Sequence, residues 1–239
     1  PSMWLETRRR RWLYFLGEVD FPMFRIKKMP LVLVSILGYL IIMLTFSGSV
    51  TPAYGQEKTG GIPALGKGPY EITVFADYFC PPCRMIDAKA EPLFKELLAT
   101  GLVKITFVDV PFASATPLYA RYYLYAVNAG ADVPDILHIR RILFDAAQIK
   151  SIKKEEELIA YLKEQNLPWK KMNEKPVLSL LNSIIKENKI DQTPVCIVKY
   201  YADGTKKYVG TDEIWDGLTK LQAHLAAKNK NGLEPTGGK

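Results

Sequence analysis

Tyr70-Glu71-Ile72-Thr73-Val74-Phe75-Ala76 runs straight into Asp77-Tyr78-Phe79-Cys80-Pro81-Pro82-Cys83-Arg84-Met85, and this junction constrains the chain more than any other stretch. Its first part is rich in β-formers and largely apolar, as a buried strand requires. From Pro81 to Ala99 the apolar residues Met85, Ile86, Leu93, Phe94, Leu97 and Leu98 follow a helical spacing, with Gly101 just beyond as a stop. Pro92 falls inside that pattern and is expected to kink or break the helix. Leu102 to Val110 reads as a second strand, so two cysteines stand where a strand hands over to a helix.

A cysteine at a helix N-terminus meets unpaired backbone N–H groups and the positive end of the helix dipole, which lower its pKa below the free value of about 8.5. The second cysteine lies one turn inward. Cys80 is thus the candidate nucleophile, forming a mixed disulfide with a substrate, and Cys83 the thiol that resolves it. A structural zinc site needs four ligands, and only Cys196, His138 and His224 remain, none in a second paired motif, so no metal site or cofactor is expected. With 48% hydrophobic and 24% charged residues in 239, the chain can bury a sizeable core. Three cysteines in such a chain do not make a disulfide framework.

Charge is uneven. Residues 1 to 30 carry seven basic against three acidic side chains, a net +4 of the chain's +7. The remainder shows no basic stripe, and no nucleic-acid partner is expected. The uncharged apolar run from Leu31 to Phe46 follows Arg25, Lys27 and Lys28 and leads to the small residues ending at Gly55. That layout fits a cleavable signal peptide or, at Leu31 to Val50, an uncleaved membrane anchor. Either places the C-terminal part outside the cytoplasm, in a bacterial periplasm or on the outer face of the inner membrane. Membrane contact is expected only through an uncleaved N-terminal segment. Residues 1–55 are therefore an extension with signal or anchor, and residues 56–69, rich in Gly, Pro and Lys, a linker.

Beyond Val110 a helical block is expected. Thr116-Pro117 suits an N-cap and first helical position, and Gly130 an end; Val133-Pro134 opens a second helix to about Ile149; Ser151 caps a third through Glu164. Val177, Leu180, Leu181, Ile184 and Ile185 form the apolar stripe of a fourth. Thr193-Pro194-Val195-Cys196-Ile197-Val198 then starts a strand with a proline, Asp203-Gly204 turns it into a partner at Lys206 to Val209, and Asp212 caps a last helix, Glu213 to Lys228. Residues 229–239 are polar and read as a flexible tail.

The sequence VFADYFCPPC, the helix, strand and helical block after it, and the later QTPVCIV and GTDEIWDGL resemble the thioredoxin superfamily, in particular its DsbA-like thiol-disulfide oxidoreductases. The resemblance implies an α/β thioredoxin fold in two parts, residues 70–112 and 191–228, with an all-helical subdomain, 113–190, inserted between them. It further implies protein or peptide thiols and disulfides as substrates, a membrane or periplasmic redox partner, and a cis Pro194 facing the cysteine pair, with the Thr193 backbone offered to substrate. Strong oxidants of this family place His between the cysteines; this chain has Pro82. Because Pro81 and Pro82 both lack an N–H, two potential donors to the Cys80 thiolate are missing, and Cys80 is expected to be less acidic than in those relatives. The buried acid common six residues before the first cysteine is replaced by Val74, and Asp77 reads as a strand-end or capping carboxylate. These departures favour a mild oxidant or reductase. A disulfide isomerase, which Thr193 resembles, and a Cu(I)-binding protein using the thiolates remain alternatives.

Overall fold

The computed structural model describes residues 62–130, 133–201 and 204–230. The signal or anchor segment, residues 56–61 of the linker, Asp203 and residues 231–239 of the tail lie outside the described residues.

The strand expected at the junction forms as β2, Tyr70–Ala76. Ile72 and Phe75 are fully buried, in keeping with an apolar run that is covered on both faces. β3, Val103–Asp109, lies parallel to it in the register Ala76 to Asp109. Parallel neighbours need a crossover, supplied by helix α1, Pro81–Ala99. β4, Val195–Tyr200, pairs antiparallel with β2 on its other side, and β5, Gly204–Val209, pairs antiparallel with β4. β1, Ala64–Leu65, adds a short antiparallel edge to β3, giving the order β1-β3-β2-β4-β5. This strand falls inside the stretch read as a linker. At Gly66, with φ of 74°, and at Gly68 a Cβ would collide with the backbone of Leu102 and Val103, so those glycines let the entry segment lie close against the sheet.

α1 runs unbroken through Pro92. Ala88, whose carbonyl loses its donor, and Pro92 itself are exposed, so water can satisfy that carbonyl. On the opposite side Leu93, Phe94, Leu97 and Leu98 are buried, and their packing holds the second half of the helix in line.

Between β3 and β4 stand the four expected helices: α2, Thr116–Asn128; α3, Val133–Gln148; α4, Glu155–Glu164; and α5, Lys175–Glu187. Two caps differ from expectation. The α2 cap is Ala115, and Thr116 instead turns its hydroxyl into the core without a hydrogen bond among the described residues. Ser151 sits in the left-handed region, φ 55°, and α4 begins after Lys154, with Glu155, Glu156 and Glu157 meeting the positive end of its dipole. On α5 only Val177 and Leu181 of the apolar stripe are fully buried, while Leu180 is exposed. α6, Thr211–Lys230, closes the fold, with Ile214, Leu218, Leu221 and Leu225 buried in the common core. The whole is an α/β thioredoxin fold with a helical block inserted into it.

Candidate active site

Asp77 follows the last residue of β2 and shapes the approach to the cysteines. Its carboxylate accepts the Phe79 N–H at 2.6 Å and the Ala113 N–H at 2.8 Å, while its backbone carbonyl accepts the Cys80 N–H at 3.1 Å. Asp77 is buried, and these bonds use its oxygens as the strand-end carboxylate expected from the sequence. Cys80 is the N-cap of α1, in extended conformation at φ −93° and ψ 110°. Pro81 and Pro82 fill the first helical positions, where a missing N–H costs nothing to the helix.

Cys80 and Cys83 form a disulfide. Cys83 is fully buried and Cys80 is half-buried, so the first cysteine is the one a substrate can reach. The Cys83 N–H donates to Cys80 Sγ at 3.3 Å. With two prolines between them, that amide is the first in the helix able to face the sulfur.

The chain brings Thr193 to the same place from 113 residues away. The Thr193–Pro194 peptide bond is cis, and the Thr193 carbonyl oxygen lies 3.5 Å from Cys80 Sγ. The disulfide sulfur carries no proton, so this approach is a contact that a thiol at the same place would turn into a hydrogen bond. The Gly210 N–H donates to the Pro194 carbonyl at 3.0 Å and ties the loop to the far end of β5. Every residue named from the sequence for the site (Cys80, Pro81, Pro82, Cys83, Thr193 and Pro194) is therefore at one end of the sheet. Below them the strands are apolar: Val74 pairs with Cys196 across β2 and β4, and burial pushes the Cys196 thiol up to about 12.

A buried charge that no sequence motif singled out joins α3 to α1 and β3. Arg140, from α3, is completely buried; its Nε is 2.9 Å from Asp87 of α1 and its Nη1 3.5 Å from Asp109 of β3. Its guanidinium covers the Phe107 ring at 3.9 Å. The Tyr78 hydroxyl donates to Asp109 at 3.3 Å. Burial pushes the Asp109 carboxyl up to about 6 against the pull of Arg140, and it raises Asp87 as well. Burial works against the Arg140 charge too, but Asp87, Tyr78 and Asp109 outweigh it. The signal was present in the sequence: Arg140 falls four residues after Ile136 and four before Phe144, on the buried stripe of α3, where a charge needs partners. Among the described residues no group of three or more His, Cys, Asp or Glu could hold a metal ion.

A helix that opens on a reachable sulfur, a second sulfur buried one turn on, and a cis-proline loop against the first are brought together at one end of the sheet. The chain belongs to the thioredoxin family, whose sequence model matches residues 63–208. None of the curated proteins compared by sequence matches it. Among solved structures it is similar to Wolbachia pipientis alpha-DsbA1 at 20% identity, covering 72% of this chain and 94% of that one, with a TM-score of 0.53. The catalytic domain of Proteus mirabilis ScsC is similar at 18% identity, with 70% and 92% covered and a TM-score of 0.51. A periplasmic thioredoxin-like protein from Salmonella enterica serovar Typhimurium is similar at 16% identity, again with 70% and 92% covered and a TM-score of 0.52. At these identities the likeness is one of fold, and the fold is DsbA-like.

Proposed function

We propose that the chain is an exported protein thiol-disulfide oxidoreductase that exchanges disulfides with protein or peptide substrates through Cys80 and Cys83. The observation that carries this reading is the half-buried Cys80 sulfur at the start of α1, held 3.5 Å from the Thr193 carbonyl beside the cis proline. In the reducing direction the Cys80 thiolate attacks one sulfur of a substrate disulfide and expels the other as thiolate, leaving a mixed disulfide. The Cys83 thiolate then attacks Cys80 Sγ and releases the second substrate sulfur. Two electrons pass to the substrate, two protons from the Cys pair end on its thiols, and the enzyme is left with its own disulfide. The reverse sequence oxidises a dithiol. An extended substrate strand fits beside Thr193 and Pro194, whose loop lies against the reacting sulfur.

The direction follows from charge. Pro81 and Pro82 remove two amide donors from the reach of the Cys80 thiolate, and Val74 stands where a buried acid is common in the family. Both features support a mild oxidant or reductase. A redox partner in the membrane or periplasm completes the cycle by returning the pair to its working state. Cys80→Ser tests the reading: it is expected to abolish insulin reduction and dithiol oxidation together, and activity retained in that variant contradicts it.

A further inference from the structure

The last residue of α3 reaches the exchange motif directly. The Gln148 side-chain nitrogen donates to two backbone carbonyls at once, Tyr78 at 2.8 Å and Cys80 at 2.9 Å. Both partners are acceptors, so the amide can face them only with its NH₂ group. The Cys80 carbonyl is otherwise a purely negative end pointing into the first turn, where it accepts the Cys83 N–H at 3.0 Å and the Arg84 N–H at 3.2 Å. One turn back along α3, Asp145 holds the guanidinium of Arg84, the residue just after Cys83, at 2.8 Å.

We propose that Gln148 is a positioning residue for Cys80, through which the helical insertion sets the acidity of the exchange cysteine. This rests on Cys80 being the nucleophile. The amide fixes the carbonyls on both sides of Phe79, and so fixes where Cys80 Sγ stands relative to Thr193. Its N–H dipole also offsets the partial negative charge of the Cys80 carbonyl, which faces the same turn as the thiolate. Near Cys80 in the chain, the Asp77 carboxylate is taken by the Phe79 and Ala113 amides, and Arg84 is paired with Asp145. Gln148 donates to backbone carbonyls and not to Sγ, so it acts on Cys80 through the backbone that carries it.

The test uses the full chain with Gln148→Met, which keeps the length and loses both donors, Gln148→Glu, which sets a carboxylate against two carbonyls, and Asp145→Asn, which frees Arg84. Cys80 ionisation is followed by thiolate absorbance against pH, and the Cys80–Cys83 equilibrium by titration with glutathione. Gln148→Met is expected to raise the Cys80 midpoint and shift the equilibrium toward the protein disulfide by roughly three- to tenfold, the worth of one or two lost hydrogen bonds. Gln148→Glu moves both readouts further the same way, and Asp145→Asn moves the midpoint down. Unchanged values in Gln148→Met, or shifts of one sign in all three variants from a loosened α3, overturn the proposal. If the Gln148 variants do not fold, the side-chain NH₂ resonance of Gln148 in the reduced wild type decides: it is expected to shift with the Cys80 midpoint, and a flat response overturns the proposal. A wild type without exchange activity would instead defeat the functional reading itself.

Discussion

Two regions meet the first turns of α1 and treat charge in opposite ways. Around Cys80 the surface is half-open and poor in donors: two prolines, one helix amide at 3.3 Å and the Thr193 carbonyl. A turn deeper, Arg140 is sealed from water among Asp87, Asp109, Tyr78 and the Phe107 ring. The first region leaves a group underserved, and it is the region to which the proposed function assigns exchange. The second holds a charge between two carboxylates and an aromatic ring, with Nη1 and Nη2 making no hydrogen bond among the described residues, and its removal is expected to strike the fold rather than the reaction.

The sharpest way to break this contrast is Arg140→Leu. It leaves two buried carboxylates without their cation, and a loss of about 3–5 kcal/mol in urea unfolding is expected. Adding Asp87→Leu should recover part of that loss; no recovery would mean that packing, not charge, is at stake. Protonation probes the same region more gently. Asp109, raised to about 6, keeps its proton to a higher pH than it does in the unfolded chain, and Asp87 is raised in the same direction. Between about pH 4 and pH 6 the folded state therefore binds more protons, and stability falls as pH rises, by at most about 1.4 kcal/mol per pH unit for one group. Asp109→Asn should flatten that slope in urea titrations at several pH values.

Smaller effects are expected on the open side. Pro82→Ala returns an amide N–H near Cys80 Sγ, so the thiolate midpoint should fall and the glutathione equilibrium move toward the reduced pair by about fivefold, the worth of one hydrogen bond. The smallest concerns Cys196, buried beside Val74 with its thiol pushed up to about 12. In the reduced native protein Cys80 should alkylate readily and Cys196 only after unfolding, and Cys196→Val should leave the glutathione equilibrium unchanged.

The same contrast explains what the sequence made legible. The exchange motif is local: strand, CPPC and helix lie within thirty residues and each carries its own pattern. Thr193 and Pro194 are distant, yet the proline at a strand start marks them. The Arg140 cluster draws on α1, β3 and α3 at once, so no single stretch displays it, although Arg140 breaks the apolar stripe of its own helix. β1 has only two residues and no periodicity to detect. Thr116 and Ser151 look like caps because their side chains can cap, but the backbone chose Ala115 and Lys154 once the helices had packed. Pro92 was expected to interrupt α1, and the burial of Leu93, Phe94, Leu97 and Leu98 outweighed it.

The central claim is that a donor-poor Cys80 makes this pair a moderate oxidant or a reductase. Redox titration of the wild-type Cys80–Cys83 pair against glutathione tests it most directly. The account predicts a potential between the DsbA value of about −120 mV and the thioredoxin value of about −270 mV. A potential at or above the DsbA value would contradict it.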